Sequence, residues 1–406
     1  NVEVSGKSYL DFNGLVNTVA PNGNTGMLLL DPANVTISNA ATVLAGGAFA
    51  AGQFAGATGP VTLNWTTAID AQLVGNNVII TTSGNGGGLG DITVSADSPA
   101  LARANTLWLV ANNDITLNGA ITNTGGGTVG AFAGWNGNAI TFGTAPVLTS
   151  GTGTVTVNQS INVSNVTGQN IDLRAGKDIV IAAGKVVSSL TGLNHGVTLK
   201  AAAGNISLGA GSTVSATPFI ALGNNGSATV AISAGGNVSL DTGSTVSAKG
   251  GQAGFVGIGF ASDGGNASTS IAAGGTIGIT ASTVTATGGA GIGAATGDGT
   301  LTLNSTGATT ISGASTVRAQ GGGANASVNG RPGTLNITAS ALTLNGTGPL
   351  LVESIGGKAD QLPGAALTNL NVAGVIDITG DSQLNSTGGA HAAAVAGGDG
   401  ADAKAV

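Results

Sequence analysis

Cysteine is absent from this 406-residue chain, and aromatic (3%) and charged (7%) residues are scarce. Without cysteine there is no disulfide framework, no thiolate nucleophile and no sulfur ligand for a metal. Two histidines, His195 and His391, and two glutamates, Glu3 and Glu353, leave little with which to build acid–base chemistry. A globular domain carries about a quarter charged residues, so this surface is made of something else. No run reaches the roughly 18 consecutive apolar residues of a membrane-crossing helix. Eleven Lys and Arg against eighteen Asp and Glu give a net charge of -7, with no cationic stripe of the kind nucleic acid requires.

What is abundant is glycine (73 residues) together with Ala, Val, Thr, Ser and Asn. The 41% apolar share argues against disorder, which needs low hydrophobicity and high charge. Runs such as Ile92-Thr93-Val94, Ile115-Thr116-Leu117 and Val155-Thr156-Val157 alternate apolar with polar, the period of a half-buried strand. Gly and Asn stand between the runs (Gly204-Asn205, Gly235-Gly236-Asn237), where turns need residues that tolerate positive φ. Helix signals are poor, and only a stretch such as Ala41 to Gly56 is expected to turn as helix.

A unit of three such runs recurs. Val197 to Ala216 reads VTLKAAAGNISLGAGSTVSA, Thr229 to Ala248 reads TVAISAGGNVSLDTGSTVSA, and Leu301 to Ala319 reads LTLNSTGATTISGASTVRA. The last run of each unit, marked by Val187, Val214, Val246, Val284, Val317, Leu351 and Leu384, returns about every 27 to 38 residues, a solenoid period. One unit cannot bury its own apolar face, so neighbours stack. Three strands per turn predict an all-β parallel β-helix with coils about 4.8 Å apart and Asn ladders at the corners. Gly/Ala-rich spacers (Gly250 to Gly265, Gly288 to Gly299, Gly321 to Gly333, Gly388 to Gly400) are expected to project from one side and, being nearly uncharged, to touch another chain or a matrix. The texture changes near residue 160, giving a less regular segment over 1–160 and a regular repeat over 161–406. No atypical polar cap is legible at the C-terminal end. The N-terminus lacks a basic start followed by an apolar stretch, and the chain reads as a slice of something longer.

The phrases LLLDPANVTIS (Leu28 to Ser38), the preceding DFNGLVNTVAPNGNTGM, VIITTSGNGGGLGDITVSA and NDITLNGAITNTGGG resemble the body of filamentous-haemagglutinin-like bacterial adhesins, over Asp11 to about Gly127. That resemblance implies a right-handed parallel β-helix as shaft, export to the cell surface or outside through an outer-membrane secretion partner, and roles in adhesion, aggregation or biofilm structure. The family's secretion domain bears NPNL and NPNGI motifs. Only Ala20-Pro21-Asn22-Gly23 echoes them here, so the chain reads as an inner part of the shaft.

Few residues offer chemistry of their own. Asp91, Asp114, Asp178, Asp241 and Asp298 sit singly beside Gly or at strand starts and read as turn residues rather than acid catalysts. His195 and His391 read as solvated turn residues, since neither has Cys or acids nearby. The Gly84–Gly90 loop is followed by a strand and lacks Gly-Lys-Ser/Thr, so it is no phosphate loop. Gly397 to Asp402 resembles half a calcium-binding nonapeptide, too few oxygens for the ion. Sequons such as Asn34-Val-Thr36 and Asn336-Ile-Thr338 are abundant in so Asn- and Thr-rich a chain. Trp108 reads as packed against the coil, and Trp135 is the tryptophan most open to exposure, although core or loop packing is the expectation for it and for Trp65. The sequence therefore assigns no catalytic, cofactor or metal residue. Its expected function is an extracellular structural and adhesive shaft, with copies of itself, matrix components, or host and cell-surface glycans or proteins as partners. A self-assembling filament and a polysaccharide lyase or hydrolase are the alternatives.

Overall fold

The structure is a computed structural model that describes residues 2–5, 15–19, 26–31, 34–41, 48–50, 53–55, 61–82, 89–141, 143–164, 169–190, 194–218, 226–252, 263–292, 296–325, 329–359, 362–390 and 403–405. It divides into two compact units, one comprising 1–163, 170–185 and 199–204, the other 164–169, 186–198 and 205–406. Both are stacks of parallel β coils, so the fold is a parallel β-helix.

In the second unit each coil has a first face, a corner, and two further short strands. Ala228–Ala234 lies in register with Ala267–Ala273, and that strand with Gly299–Ser305, Gly333–Ala339 and Ala366–Val372 in succession. Along each strand the burial alternates, as in the buried–exposed–buried pattern of Ala228–Ala234, because successive side chains leave opposite faces of an extended chain. Register then builds inner columns. Ile232, Ile271, Leu303 and Ile337 stack on one face, each 1% exposed or less. Val187, Val214, Val246, Val284, Val317, Val352 and Leu384 stack on another. Full burial of one such side chain contributes about 1.5–3 kcal/mol. The marker Leu351 is corrected by this register: it pairs with Thr316 outside the column, and Val352 takes the inner place. A one-residue slip reverses every side chain on a strand.

At these corners asparagine side chains reach the next coil, but they bond its backbone rather than a stacked amide as the expected ladder would. The Asn205 Oδ1 accepts from the Asn237 N–H at 2.8 Å, and the Asn237 Oδ1 accepts from the Thr276 N–H at 2.8 Å. A side-chain rung does form within the first face, where Asn369 donates to Asn336 at 2.8 Å.

The first unit repeats the plan less regularly. Met27–Asp31, Asn77–Thr81, Leu107–Ala111 and Val129–Ala133 form one face. Val35–Ser38, Ile92–Val94, Ile115–Leu117, Val155–Val157 and Ile179–Ile181 form a second. Helix appears at Trp65–Leu73 rather than within 41–56. Of that stretch, Ala48–Ala50 and Gln53–Ala55 form an antiparallel pair, and 42–47, 51–52 and 56 lie outside the described residues. Asn64 explains the helix start: its Oδ1 accepts from the N–H groups of Thr66 and Thr67 at 2.9 Å, an N-cap. Trp65, Ile69 and Leu73, spaced four apart on one helix face, are at most 2% exposed. The Trp65 indole donates to the Ala96 carbonyl at 2.9 Å, and the Asp70 carboxylate accepts from the Arg103 Nε and Nη2 at 2.6 and 2.8 Å. The hydrogen bond to Asp70, with that residue's charge, raises the Arg103 pKa above its ordinary value.

Candidate functional site

Asp91, Asp114 and Glu353 are held at corners or in a cross-coil pair. The Asp91 carboxylate accepts from the Asn113 side chain at 2.7 Å and the Asp114 N–H at 3.2 Å, and the Asp114 carboxylate accepts from the Thr154 N–H at 2.7 Å. Both act as the turn acceptors expected of them. Glu353, 7% exposed, pairs with Arg318 one coil away. Among the described residues no three His, Cys, Asp or Glu gather as a metal site. Glu3 has no described side chain, and His391, Gly84–Gly88, the Gly397–Asp402 segment and Ala20-Pro21-Asn22-Gly23 lie outside the described residues.

His195 corrects the expectation of a solvated turn. It begins the strand His195–Ala201, is 2% exposed, and its Nδ1 lies 2.9 Å from the Ser189 Oγ, itself fully buried. The Ser–His contact matches a nucleophile pair in distance alone, because Ser189 has no exposed surface through which a substrate could reach it.

The tryptophans gather into structure. On the first unit's first face, alternate side chains point away from the coil interior: Ile79 and Trp108 stand opposite each other, as do Val110 and Phe132. The segment 134–149 folds back over them, tied by a bridge between Trp135 and Leu148 and by the Thr149 N–H to the Gly134 carbonyl at 2.7 Å. Ile79, Trp108, Val110, Phe132 and Trp135 become a second core outside the coil, with Ile140, Ala145 and Leu148 against it. Trp135 is 9% exposed and its indole donates to the Asn138 carbonyl at 3.0 Å. This accounts for the uniform burial of Leu107–Ala111 and Val129–Ala133, which are covered on both faces. It also explains Gly130, where a Cβ would stand 2.6 Å from the Phe132 ring and 2.7 Å from Trp108. None of the three tryptophans is left as an exposed stacking platform.

The glycine-rich legs at the bases of the second unit's spacers pack backbone to backbone. Outgoing and returning legs alternate in one ladder of backbone hydrogen bonds: Gly265 N–H to Gly251, Gly289 to Gly265, Gly297 to Gly289 and Gly322 to Gly297, all 2.8–2.9 Å, and further on Gly364 to Gly357 and Gly389 to Gly364. A Cβ at Gly289 would lie 1.9 Å from the Gly251 oxygen, at Gly297 1.8 Å from that of Gly265, and at Gly357 1.9 Å from that of Gly322. Only a residue without a side chain permits such approach of backbone to backbone. The signal stood in the sequence: from Thr245–Lys249 onward a Gly-Gly pair follows the third strand of each unit (Gly250-Gly251, Gly288-Gly289, Gly321-Gly322, Gly356-Gly357, Gly388-Gly389), whereas Thr213–Thr217 is followed by Pro218.

One cleft in the first unit combines charge with an apolar wall. It measures about 160 Å³ and is lined by Pro146, Leu148, Arg174, Ala175, Lys200 and Ala202. It lies where the folded-back segment ends and the next strands emerge from beneath it. Arg174 sits outward on Gln169–Ala175, opposite Phe132, and its Nε donates to the Asp172 carboxylate two residues back at 2.8 Å. Sequence reasoning passed over these residues. Asp172-Leu173-Arg174 does place a charge pair on one strand face, but the apolar wall comes from a loop more than twenty residues away. No protein-family model matches the chain, and no curated protein and no solved structure is found to be similar to it.

Proposed function

We propose that this chain is a structural and adhesive shaft of a bacterial surface protein, working outside the cell in adhesion, aggregation or a biofilm matrix. One observation carries the proposal. Coil after coil of the second unit repeats the same inner columns and, from Gly250 onward, the same Gly-Gly leg, so coils add without a change of plan. Such an architecture suits distance and display, because each repeat contacts only its neighbours and length can grow freely. The resemblance to filamentous-haemagglutinin-like adhesins supports the same role and, with it, passage through an outer-membrane secretion partner.

The test is display of the chain on a bacterium that does not otherwise aggregate. Increased cell–cell or cell–surface attachment, lost when the 250–265 spacer is shortened to its Gly legs, supports the reading. Release of reducing ends from a panel of polysaccharides would overturn it in favour of a lyase or hydrolase.

A second reading, self-assembly into a filament, is favoured by one specific feature. Ile376–Thr387 pairs on one side only among the described residues, with Ala341–Ile355. Ile376 and Ile378 are 44% and 46% exposed, although the residues they continue, Leu342 and Leu344, are fully buried, and the adjoining Val375 is 70% exposed. A further coil, of this chain or of another copy, would cover them. An open strand edge with apolar residues beside it favours such pairing.

A further inference from the structure

We propose that the cleft between Pro146, Leu148, Arg174 and Lys200 is a binding site for one acidic sugar ring, a uronate-type pyranose whose carboxylate meets the two cations. The proposal stands independently of the shaft reading, since it concerns a local site in the first unit.

Three observations carry it. The first is the state of Arg174. Its Nε is held by Asp172 at 2.8 Å, which fixes the plane of the guanidinium, and its Nη groups make no hydrogen bond among the described residues. An arginine oriented by one carboxylate and still holding free donors is preorganised to receive a second, in the fork geometry that suits carboxylates. The second is Lys200, which lines the same cleft, is exposed, and makes no hydrogen bond or ion pair among the described residues. By contrast Arg103, Arg318 and Arg331 each face an acid. In a chain with eleven Lys and Arg and a net charge of -7, two cations with open donors around one recess are a local reversal of sign. The third is the wall. Pro146 is buried and Leu148 half-buried, and with Ala175 and Ala202 they give an aliphatic surface beside the cations. A free phosphate or other small inorganic anion has no use for such a wall, whereas the C–H face of a pyranose does. The volume of about 160 Å³ is below the roughly 300 Å³ of a small-molecule pocket, so it holds one ring of a chain whose remainder runs over the surface.

The geometry also assigns roles. The Arg174 Nη groups and the Lys200 Nζ donate to the carboxylate, Leu148 and Pro146 carry the ring, and Asp172 positions Arg174 without touching the ligand. Loss of one charge-assisted hydrogen bond at a partly exposed site weakens binding by roughly tenfold. The interaction is screened as salt rises.

The experiment is calorimetric titration of the full chain with a trigalacturonate and, separately, with the neutral trigalactoside. Saturable binding of the acid but not the neutral sugar is expected, weakening from 50 to 500 mM NaCl. Lys200→Ala should weaken it roughly tenfold, and Leu148→Asp should abolish it. Lys185→Ala should leave it unchanged, because Lys185 donates to Gln159 away from the cleft. The circular dichroism melt of Lys200→Ala, unchanged from the parent, separates loss of the site from loss of fold; Leu148 also packs on the outer cluster, so its variant is titrated below its own melting transition. Equal affinity for both trisaccharides, no saturation at millimolar ligand, or Lys200→Ala binding like the parent would each overturn the proposal. So would acetate competing as well as monomeric galacturonate, since the wall would then contribute nothing.

Discussion

Replacing Gly289 by alanine tests the glycine ladder directly. Gly289 donates to the Gly265 carbonyl at 2.8 Å and accepts from the Gly297 N–H at 2.9 Å. The new Cβ would lie 1.9 Å from the Gly251 oxygen and 2.7 Å from its carbonyl carbon. These neighbours are backbone, so no rotamer change relieves the clash; the legs must part by about 1 Å or more, which breaks both hydrogen bonds. Two hydrogen bonds at about 1 kcal/mol each, with overpacking at 1–3 kcal/mol, put the cost at about 3–5 kcal/mol. For a unit of this size each kcal/mol moves Tm by about 2–4 °C, so scanning calorimetry should show a drop on the order of 10 °C. Gly278→Ala is the matched control. It stands in the strand Ile277–Thr280 with nothing within 4 Å of its would-be Cβ, and it should be neutral or gain about 0.4–1 kcal/mol from the unfolded chain. Hydrogen exchange at the Gly265, Gly289 and Gly297 amides should quicken only in Gly289→Ala. Equal melting of the two variants would refute the claim that close approach, rather than turn flexibility, is why these positions are glycine.

Other outcomes follow from the same packing. Leu303→Ala, in an inner column and fully buried, should cost about 2–5 kcal/mol in denaturant unfolding. Asn237→Ala removes the acceptor for the Thr276 N–H and Oγ1 and should cost about 1–2 kcal/mol, whereas Asn237→Asp keeps the acceptor and should recover most of it. Trp135→Ala should open the outer cluster at a cost of about 3 kcal/mol, visible as a red shift of the remaining tryptophan emission as Trp108 meets water. Ile376→Asp with Ile378→Asp should lower the sedimentation-velocity association state at high concentration while leaving Tm nearly unchanged. Unaltered association would remove the filament reading.

Much of the fold was legible because alternation and turn chemistry are local properties. Val238–Leu240 and Thr245–Lys249 announce themselves as strands by period two and by the Gly and Asn around them. Asp91 and Asp114 announce themselves as corner residues. Leu351 shows the limit. With three consecutive apolar residues, Leu350, Leu351 and Val352, alternation alone does not say which parity faces inward, and only pairing with Val317 selects Val352.

His195, Trp135 and the cleft lie beyond that limit for a shared reason. Each depends on what the folded coil brings beside it: Ser189 against the imidazole, the 134–149 segment over an outer face, a loop proline against two cations from separate strands. The spacers made this hard to foresee, since their unequal lengths hide which residues meet. The amino-acid sequence by itself determined that the chain would be extended strands with a repeating dry face, because side-chain alternation and glycine turns act within a few residues. Tertiary structure decided the rest: which glycines must be glycine, which aromatics are covered, and where charge converges. Those are contacts between coils, created only when register places residues some thirty positions apart within van der Waals reach.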